Sequence, residues 1–600
     1  MLQAEMGKMI VYQLFVRLFG NKNTGSVLNG SIEENGCGKF NDISSRALGE
    51  LKRLGITHVW YTGIIEHATM TDYSAYGISP DNPFVVKGRA GSPYAVRDCY
   101  DVDPDLASSA DRRMLEFDGL VERTHSAGLK VIIDFVPNHV ARNCKSDVKP
   151  GNVRDLGEED NTDVFFDRNN NFYYIPGKEF AVPPEYIPAS GARRDVCNYV
   201  EYPAKASGND VFSASPGIND WFETVKLNYG IDFLSGTAHF DPVPDTWLKM
   251  LDILLFWAEK GVDGFRCDMC EMVPAEFWSH AVGEVKKLHP HVVFIGEAYS
   301  PANYKRYVSS GFDYLYDKSG LYDLLRAAIT GHSGLDRLQD YLHSEIRGLE
   351  GNMLSFLENH DEQRFASPQF AGSPDRAVPL MTLAATLHPS PVMIYFGQEV
   401  GAKAAGATGF SGDDGRTSIF DYTHVPEIQQ WMNGGSFDGG LLSREQAELR
   451  SFYAKLLNIC NSEEAISDGR FGNLFESNAN GKSQGFNQYM NCAFARYTEN
   501  SRLIIFVTID SIAPDLYLKL PADLLADMGL DRDSNLIIED ILFTDCKTVI
   551  RGEDLVSTGI HFTGKAMSAA ILRIFPSEIP LYSKNHGILF HPLIKHAPAE

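Results

Sequence analysis

The chain has 600 residues, with 54 basic against 79 acidic side chains and a formal charge of −25. That balance excludes a basic nucleic-acid footprint and argues against an anionic lipid surface as partner. The length is far beyond one typical domain, so two or three domains around a large core are expected.

Taken in chain order, the first strand reads as Ile10 to Phe15, within Met9 to Phe19. Gln13 and Arg17 interrupt that stretch, so it reads as a strand and not as a signal peptide. A helix over Ser44–Leu54 leads to a second strand, His58–Ile64, and a helix over Arg113–Ala127 leads to a third, Lys130–Phe135. The rhythm then stops. Residues 140 to about 235 are rich in Asn, Asp, Pro, Gly and Tyr and lack helical period. A structureless loop of that length inside a compact domain is suspect, so a small inserted domain is the better reading.

The rhythm resumes with a helix over Trp247–Lys260, stopped by Gly261, and a short buried strand over Val262–Phe265. Glu276–Leu288 is helical and Val292–Gly296 extended; strands follow at Phe312–Tyr316, Met353–Leu357 and Pro391–Phe396. Strands alternating with helices predict βαβ units, and eight of them predict a closed parallel barrel. After a helix over Arg444–Cys460 come strand-like runs at Gln488–Arg496, Leu503–Ile509, Asp515–Leu520, Asn535–Ile541 and Ala569–Ile574. These predict an antiparallel β-sandwich. The fold class is therefore α/β: a (β/α)8 TIM barrel with a small inserted domain after strand three and a C-terminal antiparallel β-sandwich. The expected domains are a barrel over 1–139 and 236–445, an insertion over 140–235, and a sandwich over 446–600.

Several apolar strands end in polar chemistry. They run into Asp134-Phe135-Val136-Pro137-Asn138-His139, Gly264-Phe265-Arg266-Cys267-Asp268, Gly296-Glu297 and Glu358-Asn359-His360-Asp361. Charge at the end of a buried strand is costly unless matched or functional. In a barrel, such residues converge on the face that carries active sites. In this order and context the segments resemble the short motifs of the α-amylase superfamily of retaining glycoside hydrolases, over roughly residues 8–430.

The resemblance implies that Asp268 is the nucleophile, Glu297 the acid/base and Asp361 a third carboxylate that holds sugar hydroxyls. Retention needs two carboxyls about 5–5.5 Å apart. Arg266 is expected to lower the pKa of Asp268, and the apolar strand end to raise that of Glu297. The resemblance further implies that His139 and His360 bond hydroxyls at the cleavage subsite, that Tyr94 stacks on the sugar there, and that Arg364 lies near the same subsite. Lys226-Leu227-Asn228 resembles an auxiliary motif near the end of the insertion.

There are departures. Many family members carry Lys-His three and four residues after the nucleophile; here those positions are Glu271 and Met272. The chemistry requires no cofactor. A structural Ca2+ is left open, with Asn138 as one oxygen ligand and the Asp167-Arg168-Asn169-Asn170-Asn171 run as a loop of hard oxygens. Cys267-x-x-Cys270 has no second ligand pair, so zinc is not expected. The odd number of scattered cysteines points to free thiols and a cytoplasmic location, and no apolar run reaches the roughly 18 residues of a membrane span.

The leading expectation is hydrolysis of α-1,4 links in starch-derived glucans or maltooligosaccharides. An α-glucosyl transferase or isomerase using the same trio is the alternative. A non-catalytic transporter partner is disfavoured by the intact trio.

Overall fold

Runs of Ile, Val, Phe, Tyr and Met between helices place their strands in the interior of a closed parallel barrel. The computed structural model describes residues 7–404, 412–543 and 546–577, together with the backbone of 588–589. The barrel strands are β1 (Ile10–Phe15), β2 (His58–Thr62), β3 (Lys130–Phe135), β4 (Gly264–Cys267), β5 (Val293–Gly296), β6 (Tyr314–Tyr316), β7 (Met353–Phe356) and β8 (Val392–Tyr395). They follow one another around the barrel in sequence order, and β8 closes on β1. Register sets Arg266 of β4 opposite Asp134 of β3 on one side and Ile295 of β5 on the other. The sequence-read strand bounds hold at β1 and β3, and run a residue or two long at β2, β6, β7 and β8.

The helices between strands form the outer layer. Helix α1 (Ser45–Leu54) starts where the Ser44 side chain accepts the Ala47 N–H, and it buries Ala47, Leu48, Leu51 and Leu54. It stops at Gly55, whose φ of 104° only glycine adopts without strain. Helices α2 (Arg113–Ser126), α3 (Asp245–Glu259) and α4 (Ala275–Leu288) pack in the same way.

The stretch after β3 holds short antiparallel ladders: His139–Ala141 with Thr224–Lys226, and Tyr174–Ile175 with Ala204–Lys205. Its core is not its own throughout. Phe180, Val182, Ala214 and Phe222 pack with Phe84 and Val85 from the β2–α2 connection. Val140, Phe172, Val225 and Leu227 join the barrel core.

Helix α5 (Arg444–Ser462) leads to two sheets. The first has the order β9 (Arg470–Asn473), β10 (Asn491–Tyr497), β11 (Arg502–Thr508), β16 (Ser568–Ser577), β13 (Asn535–Asp540), β14 (Lys547–Arg551), antiparallel throughout. The second pairs β12 (Asp515–Leu518) with β15 (Ile560–Thr563), and Ile588–Leu589 joins β15. Side chains alternate along a strand. Ile504 and Phe506 of β11 accordingly face the core shared with Leu516 and Phe562, whereas Leu503, Ile505 and Val507 face the barrel. Sequence reading missed β9, β14 and β15. The first two are edge strands whose residues are largely exposed or half-buried, and β15 has four residues. Among the described residues no helix is long and apolar enough to cross a membrane.

Candidate active site

The barrel brings the strand-end residues to one cleft of about 210 Å3. Asp268 follows β4 directly, and its N–H bonds the Phe135 carbonyl; Glu297 follows β5, and its N–H bonds the Cys267 carbonyl. Both carboxylates therefore hang from the rigid ladder. Asp361 lies beyond β7 in a turn held by the Asn359 side chain, which accepts the Asp361 and Glu362 N–H groups.

Arg266 organises the floor. Its Nη1 is 2.7 Å from Asp268 Oδ1 and 3.5 Å from Asp134 Oδ1, and its Nη2 is 2.8 Å from Glu297 Oε1. The guanidinium is buried among the rings of Trp60, Tyr94 and Tyr316. One cation is thus shared by three carboxylates, and Asp134 and Glu297 also have neutral donors. Trp60 Nε1 and the Gly63 N–H donate to Asp134 at 3.1 and 3.2 Å. Tyr299 Oη donates to Glu297 Oε1 at 2.6 Å, and the Met269 N–H to Oε2 at 2.8 Å. Met269 has φ 43°, a left-handed conformation rare for a non-glycine residue, immediately after Asp268.

Burial pushes these carboxyls up. Asp134 is raised to about 7, with Arg266 opposing the shift. Glu297 is raised by burial and by the charge of Asp268, again against Arg266. Asp361 is raised to about 8, first by burial in the cleft wall and then by Glu297. Asp268 is also raised, because desolvation outweighs Arg266. Arg266 does lower Asp268, as the sequence reading expected, but the guanidinium is divided among three partners and burial of the carboxyl outweighs it.

Burial disfavours the charged form of both histidines. His139 is lowered to about 3 by burial and the Lys226 charge. His360 is lowered well below its usual value by burial and Arg266. Gln13 Nε2 bonds His360 Nδ1 at 2.7 Å, and His360 Nε2 lies 2.6 Å from Tyr94 Oη and 3.1 Å from Asp361 Oδ2. With the Gln13 amide donating, the imidazole proton sits on Nε2, facing Tyr94 and Asp361.

Asp268, Glu297, Asp361, Tyr94 and His139 line the cleft, with Lys87, Trp221, Glu223, Met269, Tyr299 and Phe420 among its other walls. Arg266 and His360 stand directly behind them. Arg364 does not join the site. Its Nη1 is 3.2 Å from Glu358 Oε2 and donates to the Phe396 carbonyl at 2.7 Å, and its Nε donates to Thr417 Oγ1 at 2.8 Å. It is a buried ion pair that ties the β7 and β8 ends together, and Glu358, six residues earlier, was the unread signal. Sequence reasoning also missed Tyr299 and the wall residues Trp221 and Glu223. Tyr299 could have been found, since it sits two residues past Glu297, whereas Trp221 lies in a stretch without period.

At both calcium positions read from the sequence, side-chain oxygens already have protein partners. The Lys226 ammonium donates to Asn138 Oδ1, contacts Asp210 Oδ1 at 2.7 Å and donates to the Met272 carbonyl at 3.1 Å. A fixed positive charge stands where the ion was expected. In the 167–171 loop, Asp167 Oδ1 accepts the Asn169 N–H, Asn170 Oδ1 the Asn161 N–H, and Asn171 Oδ1 both the Gly157 N–H and Lys249. Those oxygens are already used as turn caps.

The family profile described as alpha amylase, catalytic domain, matches residues 13–202 and 243–419, more than half of the chain. The chain belongs to the alpha-amylase family. It is similar to alpha-amylase 3 of Dictyoglomus thermophilum, 24% identical over 77% of this chain and 78% of that protein. It is also similar to a cyclomaltodextrin glucanotransferase of Geobacillus stearothermophilus, 25% identical over 65% of this chain and 49% of that one. Among solved structures, the acarbose complex of an alpha-amylase from Geobacillus thermoleovorans superposes with a TM-score of 0.59 at 17% identity, covering 96% of this chain and 99% of that one. A maltogenic alpha-amylase from Thermotoga neapolitana gives 0.56 at 19% identity, covering 94% and 96%. At those identities the structural likeness speaks for the fold. With the family match, this is an α-amylase-type enzyme.

Proposed function

We propose that the chain is a retaining glycoside hydrolase that cleaves α-1,4 links of maltooligosaccharides through a covalent glycosyl-enzyme intermediate. The observation that carries this is the single Arg266 guanidinium between Asp268 and Glu297, two cleft carboxyls that follow neighbouring strands, of which Glu297 also accepts from Tyr299 and the Met269 N–H. Asp268 has Arg266 as its closest donor and serves as nucleophile on the anomeric carbon. Glu297, raised and buried, holds a proton for the glycosidic oxygen. As that bond breaks, the proton passes from Glu297 to the leaving oxygen. Glu297, now ionised, takes a proton from water, the hydroxide equivalent attacks the anomeric carbon, and Asp268 is released. Asp361, on the facing wall, and His139 bond hydroxyls. The Tyr94, Trp221 and Phe420 rings suit the C–H faces of a pyranose.

Glu271 and Met272 stand where many family members carry Lys-His after the nucleophile. Glu271 turns away to accept the Tyr299 and Ser300 N–H groups and Asn303 Nδ2, and the carbonyl of Met272 binds Lys226. This supports better use of short maltooligosaccharides than of starch. The buried cysteines Cys37, Cys267, Cys270, Cys460 and Cys492 are thiols, which supports a cytoplasmic location.

Proton NMR of maltoheptaose cleavage is the test. The first product should carry the α-anomer, and kcat/KM per bond should exceed that on soluble starch. A β-anomeric first product would reject retention. Products longer than the substrate would assign the site to glucosyl transfer, the reaction named for one relative.

A further inference from the structure

Glu66, Asp98, Asp101 and Asp147 converge away from the cleft. One carboxylate oxygen from each lies within 4.8 Å of all the others. Oxygens on a shell of about 2.4 Å radius around one ion span no more than about that distance. The strand topology forces the crowding: Ile65–His67 pairs antiparallel with Val96–Val102 in a register that sets Glu66 opposite Asp98, with irregularities on both sides. Like charges directly opposite on paired strands repel. Glu66, Asp98 and Asp101 are buried, and Asp147 stands at the rim.

Protein cations cover only part of this charge. Arg113 Nε donates to Asp101 at 2.7 Å, and its Nη2 is 3.3 Å from Asp147. Arg97 is divided: Nη2 donates to Ser79 Oγ at 2.7 Å, Nη1 is 3.5 Å from Glu66 Oε1, and Nε is 3.8 Å from Asp81. Neither oxygen of Glu66 has a hydrogen-bond partner, although the side chain is only 2% exposed. A buried carboxylate with both oxygens orphaned is a rare and costly arrangement. With Arg97 also facing Asp81, the two guanidiniums leave the four carboxylates with an excess of negative charge that a divalent cation would offset.

We propose that Glu66, Asp98, Asp101 and Asp147 bind a calcium-class divalent cation that joins the β2–α2 connection to the start of the segment after β3. The ligands are all oxygens, as Ca2+ requires, and the open rim at Asp147 leaves room for water to complete six to eight ligands.

The experiment is a calorimetric titration of the full, EDTA-stripped chain with CaCl2, paired with thermal melts. Saturable binding at one site and a rise in Tm are expected. Glu66→Gln should weaken binding at least about tenfold, because charge count tunes such sites. In EDTA it should melt no lower than wild type, since it removes an unsatisfied charge. Asp147→Asn, at the exposed rim, should also weaken binding, and Asp167→Asn should leave the titration unchanged. Absence of saturable binding, or binding that Glu66→Gln and Asp147→Asn leave intact, overturns the proposal. A Glu66→Gln variant melting well below wild type in EDTA does so too, by assigning Glu66 a purely structural role.

Discussion

Replacing Lys226 by Met removes the ammonium that ties the segment after β3 to the barrel. Three acceptors lose their donor: Asn138 Oδ1, the Met272 carbonyl and Asp210 Oδ1. Asn138 is fully buried, and leaving its oxygen bare costs about 1–3 kcal/mol. The Met272 carbonyl adds a similar or smaller amount. The Asp210 side chain is 37% exposed, so its ion pair counts for about 1 kcal/mol at most. Against these stands the relief of desolvating a buried ammonium. A net loss of about 2–4 kcal/mol is expected, confined to the ribbon formed by His139–Ala141 and Thr224–Lys226. At about 1.4 kcal/mol per tenfold, amides there should exchange roughly 30-fold to 1,000-fold faster. Hydrogen exchange read by mass spectrometry on peptides covering 138–142 and 223–228, with peptides from β10 and β11 as controls, is the assay. Unchanged ribbon exchange would refute the reasoning, and an equal rise in all peptides would show that the effect is not local.

Glu297→Gln should cost most on maltooligosaccharides and least on an activated aryl glycoside, whose leaving group needs little protonation; equal losses in the glycosylation step would argue against an acid role. Tyr299→Phe removes a donor to the ionised form of Glu297, so its pKa should rise further and the alkaline limb of kcat/KM should move to higher pH; a downward move contradicts the assignment. Arg364→Met should lower stability by about 3 kcal/mol or more in urea melts while leaving KM for maltoheptaose within about twofold, because it breaks a buried pair outside the cleft. Glu358 is raised to about 7 from 4.5 by burial, with Arg364 opposing the shift. The folded state therefore holds its proton more tightly than the unfolded chain. The variant's deficit should be smallest near pH 4.5, where only the donors to Phe396 and Thr417 are missed, and grow as pH rises through 7.

The barrel was legible because its signals are local. β3 reads as Val-Ile-Ile between a helix and a polar motif, and Asp134, Arg266, Glu297 and Asp361 announce themselves at strand ends. What stayed hidden depends on pairing across sequence. Lys226 reads only as part of a three-residue auxiliary motif until the ribbon sets it beside Asn138, 88 residues away. The direction of the Asp268 shift required knowing that Arg266 is shared with Asp134 and Glu297. Arg364 carried a subsite reading only because its partner Glu358 was not visible as such. The residues of edge strands β9 and β14 are largely exposed or half-buried, so no apolar alternation marks them. The 167–171 run has the composition of a calcium loop, but its oxygens serve as turn caps.

The central claim is that Asp268 attacks the anomeric carbon while Glu297 handles the proton. Its most direct test is mass spectrometry of the protein incubated with a 5-fluoro maltosyl fluoride, whose slowed second step lets a covalent glycosyl-enzyme accumulate. The account predicts one added glycosyl mass, mapped by peptide fragmentation to Asp268 and absent from Asp268→Asn. A label on Glu297 or Asp361, or rapid turnover of natural substrate by Asp268→Asn at more than about a tenth of the wild-type rate, would contradict it.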